Sequence, residues 1–261
     1  MHSFSVRYPA EWAEMRLYIL SDLHIGDPHA SLNNIYYRIN QVKDDPHGVC
    51  ILNGDIMNTA TRNGVSDVYG EKLSPMDQIN EAVSMLRPVA DKIIGADAGN
   101  HENRVYKNDG VDISRLICRE LGVEDRYAPE GFTCFLSFGE GRSHRAGSRK
   151  QPITYVIYAT HGTGGGRKEG AKMIRLADMA SIVDADIYIH SHTHLPGCFK
   201  EAFHRTDVHN KKVISVDKLF CNDGSALVYG GYGQMNEYKP MSNASPVIYL
   251  SGTSKWMTGT V

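Results

Sequence analysis

Much of what this chain lacks narrows its chemistry. Among 261 residues there are five cysteines (Cys50, Cys118, Cys134, Cys198 and Cys221), an odd number, widely spaced and without a CxxC pair. That pattern argues against a disulfide framework and for buried apolar thiols in a reducing compartment. No apolar run approaches the roughly 20 residues of a membrane span. Residues Met1 to Ala10 hold no apolar h-region, so no secretory leader is expected and the default location is cytoplasmic. Charge of one sign is also missing: 28 Lys and Arg face 30 Asp and Glu, for a net charge of -2. Without an overall basic field the chain is not expected to bind nucleic acid tightly or to sit on a membrane, although an enzyme that touches a few phosphates remains compatible. There is no internal repeat, low-complexity segment or convincing linker. Gly164-Gly165-Gly166-Arg167-Lys168 precedes a helical stretch but lacks the Gly-Lys-Ser or Gly-Lys-Thr of a P-loop, so nucleoside triphosphate binding is not expected.

What remains is a chain that can fold around a sizeable core. Hydrophobic content of 41% with 22% charged residues is ordinary for a globular protein, and residues 1–261 are read as one domain. Short apolar strands are expected at Met15 to Ser21, Gly48 to Asn53, Lys92 to Ala98, Phe132 to Phe138, Thr154 to Thr160 and Asp186 to His190. Helical spacing occurs over Ser31 to Asp44, over Val111 to Leu121 and over Lys172 to Val183. Ser74-Pro75 reads as a cap and first position of a further helix, carrying Ile79, Val83, Leu86 and Val89 inward, with Pro88 bending its end. Beyond residue 197 the texture turns to strands without helices (Cys198 to His204, Lys212 to Phe220, Pro246 to Leu250). An α/β fold of two sheets with outer helices follows from that order.

The twelve histidines are the compositional oddity, and several stand beside Asp, Asn or Gly. Five apolar strands each end in a polar cluster of metal-ligand type: Asp22/His24, Asp55, Asn100/His101, His161 and His192/His194. Loops beyond the carboxyl ends of strands in an open α/β sheet converge on one crevice, so clusters far apart in sequence can meet. On an extended segment residues i and i+2 point the same way, and each of the pairs Asp22/His24 and His192/His194 is expected to present two ligands to one side. Mixed carboxylate and imidazole donors suit Mn, Fe or Zn. Asn100 offers a neutral oxygen, and Asp55 can bridge two cations about 3.5–4 Å apart. His190 is read as a core or supporting histidine, and His144, His204 and His209 as surface residues.

Asp22-Leu23-His24, Gly54-Asp55, Gly99-Asn100-His101-Glu102, His161-Gly162 and Ser191-His192-Thr193-His194 together resemble the five ordered signature blocks of the calcineurin-like metallophosphoesterases. The resemblance spans about residues 16 to 195. It implies the two-sheet αββα sandwich and two divalent ions, manganese first, with Fe, Zn, Ni or Co as alternatives. Asp22, His24 and His194 would hold one ion and Asn100, His161 and His192 the other, with Asp55 bridging. His101 would not ligate but would steady or protonate the leaving oxygen as metal-activated hydroxide attacks the phosphate ester. Two departures stand out: Ser191 replaces the usual glycine of the last block, which requires φ < 0 there, and Asn58 occupies the last place of the Gly-Asp-x-x-Asp/Asn block.

Arg62, Arg104 and Arg167 follow three of these blocks and are the candidate substrate contacts, since a guanidinium fork can bind two phosphate oxygens. A basic stretch at Arg142, His144, Arg145, Arg149 and Lys150 is either a solvated loop or a nucleic-acid or polyphosphate contact. These features favour a phosphodiesterase acting on nucleic acid or nucleotide. A phosphomonoesterase acting on a small molecule or a phosphoprotein is the alternative enzyme, and a non-catalytic metal-binding scaffold is the non-enzymatic one.

Overall fold

The computed structural model of the chain describes residues 1–62, 67–139, 152–164 and 166–261. The basic stretch from Arg142 to Lys150 lies outside the described residues. The chain opens with strands β1 (His2–Tyr8) and β2 (Glu14–Leu20), then alternates α1 (Leu32–Asp44), β3 (Gly48–Asn53), α2 (Pro75–Leu86) and β4 (Ile93–Asp97). Helices α3 (Asn100–Asp109) and α4 (Ile113–Leu121) come next, followed by β5 (Phe132–Phe138), β6 (Ile153–Ala159), α5 (Glu169–Asp178) and β7 (Ile187–His190). A long hairpin, β8 (Gly197–Asp207) and β9 (Lys212–Asn222), leads through the short helix α6 (Gly231–Met235) to β10 (Val247–Ser251) and β11 (Met257–Thr260).

Local chemistry sets the helix ends. The Ser31 hydroxyl accepts from the Asn34 amide and Ser74 from that of Asp77, with Pro75 at the first helical position. Pro88 has no N–H to continue the ladder, so α2 stops at Leu86 and the chain tightens into a 3₁₀ turn, Arg87–Lys92, that still buries Val89. In α5 the helical stretch starts earlier than its apolar spacing implies, at Glu169, and ends at Asp178.

Two sheets stack face to face. One has the strand order β1-β5-β6-β7-β9-β8 and the other β11-β10-β2-β3-β4. Met15, Leu17 and Ile19 of β2 and Val49 and Ile51 of β3 meet Phe132, Leu136, Ile157 and Ile187 between the sheets. The intervening residues of β3, Cys50 and Leu52, face outward against α1, α2 and α4. On the far side α5 packs Leu176 on Tyr158, Tyr188 and Phe220. The result is the expected αββα sandwich, and β3, buried on both faces, reads as an unbroken apolar run for that reason.

Two strands were not expected from sequence. β1 alternates exposed and half-buried residues, pairs parallel with β5 and leans Phe4 and Val6 on the inner core. β11 pairs with β10. The cysteines are also less scattered than they read: Cys198 and Cys221, opposite one another on β8 and β9, have their sulfurs 2.9 Å apart. Among the described residues no helix is long and apolar enough to cross a membrane.

Candidate metal centre

Each ligand block leaves the carboxyl end of a strand, and the strands concerned run in parallel. β2, β3 and β4 do so in one sheet, and β6 and β7 in the other. The loops are then stitched backbone to backbone. Asp22 N donates to Gly54 O, His24 N to Asp55 O and Ser191 N to His161 O, each at 3.1 Å. Gly54 and Gly99 make the closest approach: a Cβ on Gly99 would lie 2.0 Å from Asp55 Oδ1, so only glycine lets the β3 and β4 loops meet.

The donor atoms gather in overlapping groups. Asp22, His24 and His194 form one, and Asp55, His161 and His192 another, each within 4.8 Å internally. Within the first, His194 Nε2 lies 3.0 Å from Asp22 Oδ1, and His24 Nε2 lies 3.4 Å from His194 Nε2. Within the second, His161 Nε2 is 3.2 Å from Asp55 Oδ2 and 3.2 Å from Asn100 Oδ1. Asp55 also shares a group with His24 and His101, which places it between the two sets. The ring orientations suit ligation. His161 Nδ1 donates to Asn53 O at 2.8 Å, which leaves Nε2 to face the other donors. Buried carboxylate and imidazole lone pairs converging in this way are what a divalent cation of the Mn, Fe or Zn kind stabilises, so the residues present fit two such ions.

Electrostatics separate ligands from supports. Burial pushes the Asp55 carboxyl up, but the charge and hydrogen bond of His161 chiefly outweigh it and hold the group well below the usual carboxylate range. Asp22 is likewise held low against its burial, chiefly by His194. Burial, helped by neighbouring His101, drives His24 down to about 3 and keeps it in the neutral form that ligates. Asp97 and Glu102, buried behind these groups, move the other way, to about 8 and about 7, because burial disfavours their charged forms.

Several residues that the sequence reading passed over hold the ligands in place. Glu102 accepts from Asp55 N and Gly99 N, both at 3.0 Å, and from Met57 N at 2.9 Å. It is the third residue of α3, a helix that begins at the ligand Asn100 itself. The Gly-x-x-Glu spacing of a capping box was the available signal. Asn222 accepts from the His190 ring at 2.9 Å and donates to Leu195 O at 2.7 Å, bracing the segment that carries His192 and His194. Lys172 Nζ donates to Thr193 O in the same segment. His190 is thus the buried supporting histidine expected of it, and Gly162 packs against its ring.

The extended i, i+2 geometry expected of the ligand pairs does not hold. Asp22 and His24 have φ +50° and +48°, and His192 and His194 have +62° and +54°, all in the left-handed region, as is Asp55 at +49°. Asp22 and His24 still meet in one donor group, through alternating left-handed residues, whereas His194 joins that group and His192 the one around Asp55 and His161. Asp and His tolerate that region better than most side chains, which is why these types can serve here. Ser191 is not among the positive-φ residues, so the serine is unstrained in place of glycine, and its hydroxyl accepts from Asn53 at 2.7 Å.

The cleft over the donors encloses about 400 Å³. Arg104 and Arg167 line it, as do Lys172 and Lys239. Arg62 does not: it is exposed and outside the cleft lining. His101 lines the cleft beside Asn100, its Nδ1 donating to Asn58 O at 2.5 Å and its Nε2 3.9 Å from Asp55 Oδ2.

The strand ends of the αββα sandwich thus bring Asp22, His24, Asp55, Asn100, His161, His192 and His194 together, an arrangement that resembles the one expected of a calcineurin-like metallophosphoesterase. Among solved structures the chain is similar to vacuolar protein sorting 29 from Cryptosporidium parvum (14% identity, 95% of this chain and 97% of that one, TM-score 0.44). It is similar also to vacuolar protein sorting 29 from Entamoeba histolytica complexed with zinc (13%, 94% and 97%, TM-score 0.39). A third is a predicted phosphoesterase of Streptococcus pneumoniae (16%, 95% and 98%, TM-score 0.34). At these scores the likeness adds no weight to the geometry. No protein-family model matches the chain, and no curated protein does.

Proposed function

We propose that the protein is a two-metal phosphoesterase that cleaves phosphodiesters of the nucleotide or nucleic-acid kind. The observation behind this reading is the pair of donor sets that meet at Asp55 on the floor of an open cleft. Asp22, His24 and His194 would hold one ion, Asn100, His161 and His192 the other, and Asp55 both. Two divalent ions so held, manganese by preference, supply Lewis-acid charge and an activated water.

The remaining roles belong to the chain's own side chains. Donation from Nδ1 to the Asn58 carbonyl fixes the His101 ring with Nε2 toward the floor. Nε2 is bare in the neutral ring that burial favours, so the ring would first take a second proton there, as imidazolium, to steady or protonate the leaving oxygen. The Thr59 hydroxyl donates to His101 O at 2.8 Å and steadies the same residue from behind. Arg104 and Arg167 line the cleft, and on this reading their guanidinium groups would orient the phosphate.

Charge favours a diester over a monoester. Beyond the donor sets, and among the described residues, the cleft is lined by four cations, Arg104, Arg167, Lys172 and Lys239, and by two carboxylates, Asp27 and Glu169. Lys239 is already paired with Glu169 at 2.8 Å. That modest surplus suits a monoanionic diester, whereas a monoester dianion would draw on all four cations. The test is kcat/KM for bis(p-nitrophenyl) phosphate against p-nitrophenyl phosphate with manganese present, followed by oligonucleotides at two salt concentrations. The diester is expected to win. A monoester preference without nuclease activity would move the protein to the phosphomonoesterase class.

A further inference from the structure

Above the donor floor the cleft has a wall of different character, built by residues 225–242. Its near end is tied to the ligand strand, since Ala226 N donates to Asp22 O at 3.0 Å and Val228 N to His29 O at 2.9 Å. Asn243 Nδ2 grips it from outside through the carbonyls of Ser225 and Leu227. At its far end Lys239 reaches across to Glu169 at the start of α5. The wall is therefore fixed to both sides of the metal centre.

Its inner surface is apolar and aromatic, with Leu227, Tyr229, Tyr238 and Met241 in the cleft lining. Tyr229 is 50% exposed, and the Arg167 guanidinium lies over the Tyr238 ring at 5.3 Å from its centroid. Gly233 also lines the cleft, and a Cβ there would meet nothing within 4 Å, whereas Gly230 packs closely on the His29 ring. A phosphoryl group has no use for such a surface. Its oxygens belong with the cations and the donor floor, so whatever meets the wall is the organic substituent of the ester. Half-exposed Tyr229, half-buried Tyr238 and an arginine plane suit a flat, polar-edged ring, because every nucleobase has a π-face that stacks on aromatic side chains and on guanidinium. The cleft volume of about 400 Å³ lies in the range of small-molecule sites, which fits one nucleoside rather than a strand.

We propose that residues 225–242 form a nucleoside-binding subsite, in which the base of a small nucleoside-bearing phosphodiester stacks on Tyr229 and on the Tyr238–Arg167 pair; this rests on the phosphoesterase reading above. The subsite selects substrate through the ester group that stays on the phosphorus, and it takes no part in the chemical step.

Two esters with the same leaving group isolate the effect: the p-nitrophenyl ester of thymidine 5′-phosphate and methyl p-nitrophenyl phosphate. With manganese-loaded protein, kcat/KM is expected to favour the thymidine ester by roughly 10-fold to 100-fold, the range for stacking one base. In Tyr229→Leu with Tyr238→Leu that ratio is expected to fall toward one. Equal rates for the two esters in the unmodified protein would overturn the subsite while leaving the phosphoesterase reading standing. No turnover of either ester would instead overturn that reading. A preference that persists in the double variant would remove the tyrosines from the proposal. Product inhibition of the unmodified protein needs no variant: thymidine 5′-phosphate is expected to inhibit more strongly than methyl phosphate, and equal inhibition would contradict the subsite.

Discussion

The floor and the wall of the cleft are built by opposite means. On the floor the backbone decides where each side chain sits. Strand ends, left-handed residues and close glycine contacts place Asp22, His24, Asp55, His192 and His194, and Glu102 and Asn222 fasten the loops from behind. The wall is a long connection, held at a few points by Asn243, His29 and Glu169, and on the reading proposed above its side chains would make the contacts. Such a division separates chemistry from choice: a floor over-determined by its backbone keeps one geometry, while surface residues on a loop can change partner without disturbing it.

Substitutions on the floor should therefore cost far more than substitutions off it. The largest effect is expected at Asp55, where Asp55→Asn removes the charge shared by both donor sets. Turnover should vanish and metal binding weaken together in a protein that still folds, as read by elemental analysis and circular dichroism. Near-normal turnover would show that Asp55 is not shared. His101→Ala should lower kcat by about 10²–10⁴ while metal content stays unchanged, the pattern of a proton donor that is not a ligand. Loss of one ion in a folded His101→Ala protein would make His101 a ligand, a role its proximity to His24 and Asp55 leaves geometrically open.

Glu102→Gln tests the fastening. The glutamine nitrogen would face one of the backbone N–H groups that the carboxylate now satisfies, so the Asp55 loop should loosen. Metal affinity is expected to fall by about 10-fold to 100-fold, as for other supports of metal ligands, with a smaller loss of kcat at saturating metal. Unchanged affinity would mean that the close-packed glycines alone hold the loop. The smallest effect is expected at Arg62. Exposed and outside the cleft, Arg62→Ala should leave kcat/KM within about two-fold, ordinary for a surface change. A tenfold loss would bring Arg62 back to the substrate.

The same contrast governs what the sequence disclosed. The floor was legible because metal ligation restricts residue type, and apolar strands mark where the loops begin. Asp22, Asp55 and His192 could be picked out only as members of five blocks in order, each after an apolar strand, since each block alone is a weak signal. Their left-handed backbone could not, since nothing in Asp-x-His or His-x-His distinguishes an extended pair from an alternating one. β1 went unnoticed because its residues alternate between surface and edge, and its partner β5 is more than a hundred residues away. α3 hid inside a ligand block, and its polar sequence offers almost no apolar stripe. The wall carries no motif at all. Tyr229 and Tyr238 gain meaning only from the tertiary contacts that hang residues 225–242 beside the donors.

The central claim is that turnover depends on two ions sharing one aspartate, and metal titration tests it most directly. Protein stripped with chelator and dialysed is loaded stepwise with manganese, and diester hydrolysis is followed beside elemental analysis. Activity is expected to be absent in the stripped protein and to reach its plateau at about two ions per chain. Full hydrolysis by protein with no detectable metal in excess chelator would contradict the account.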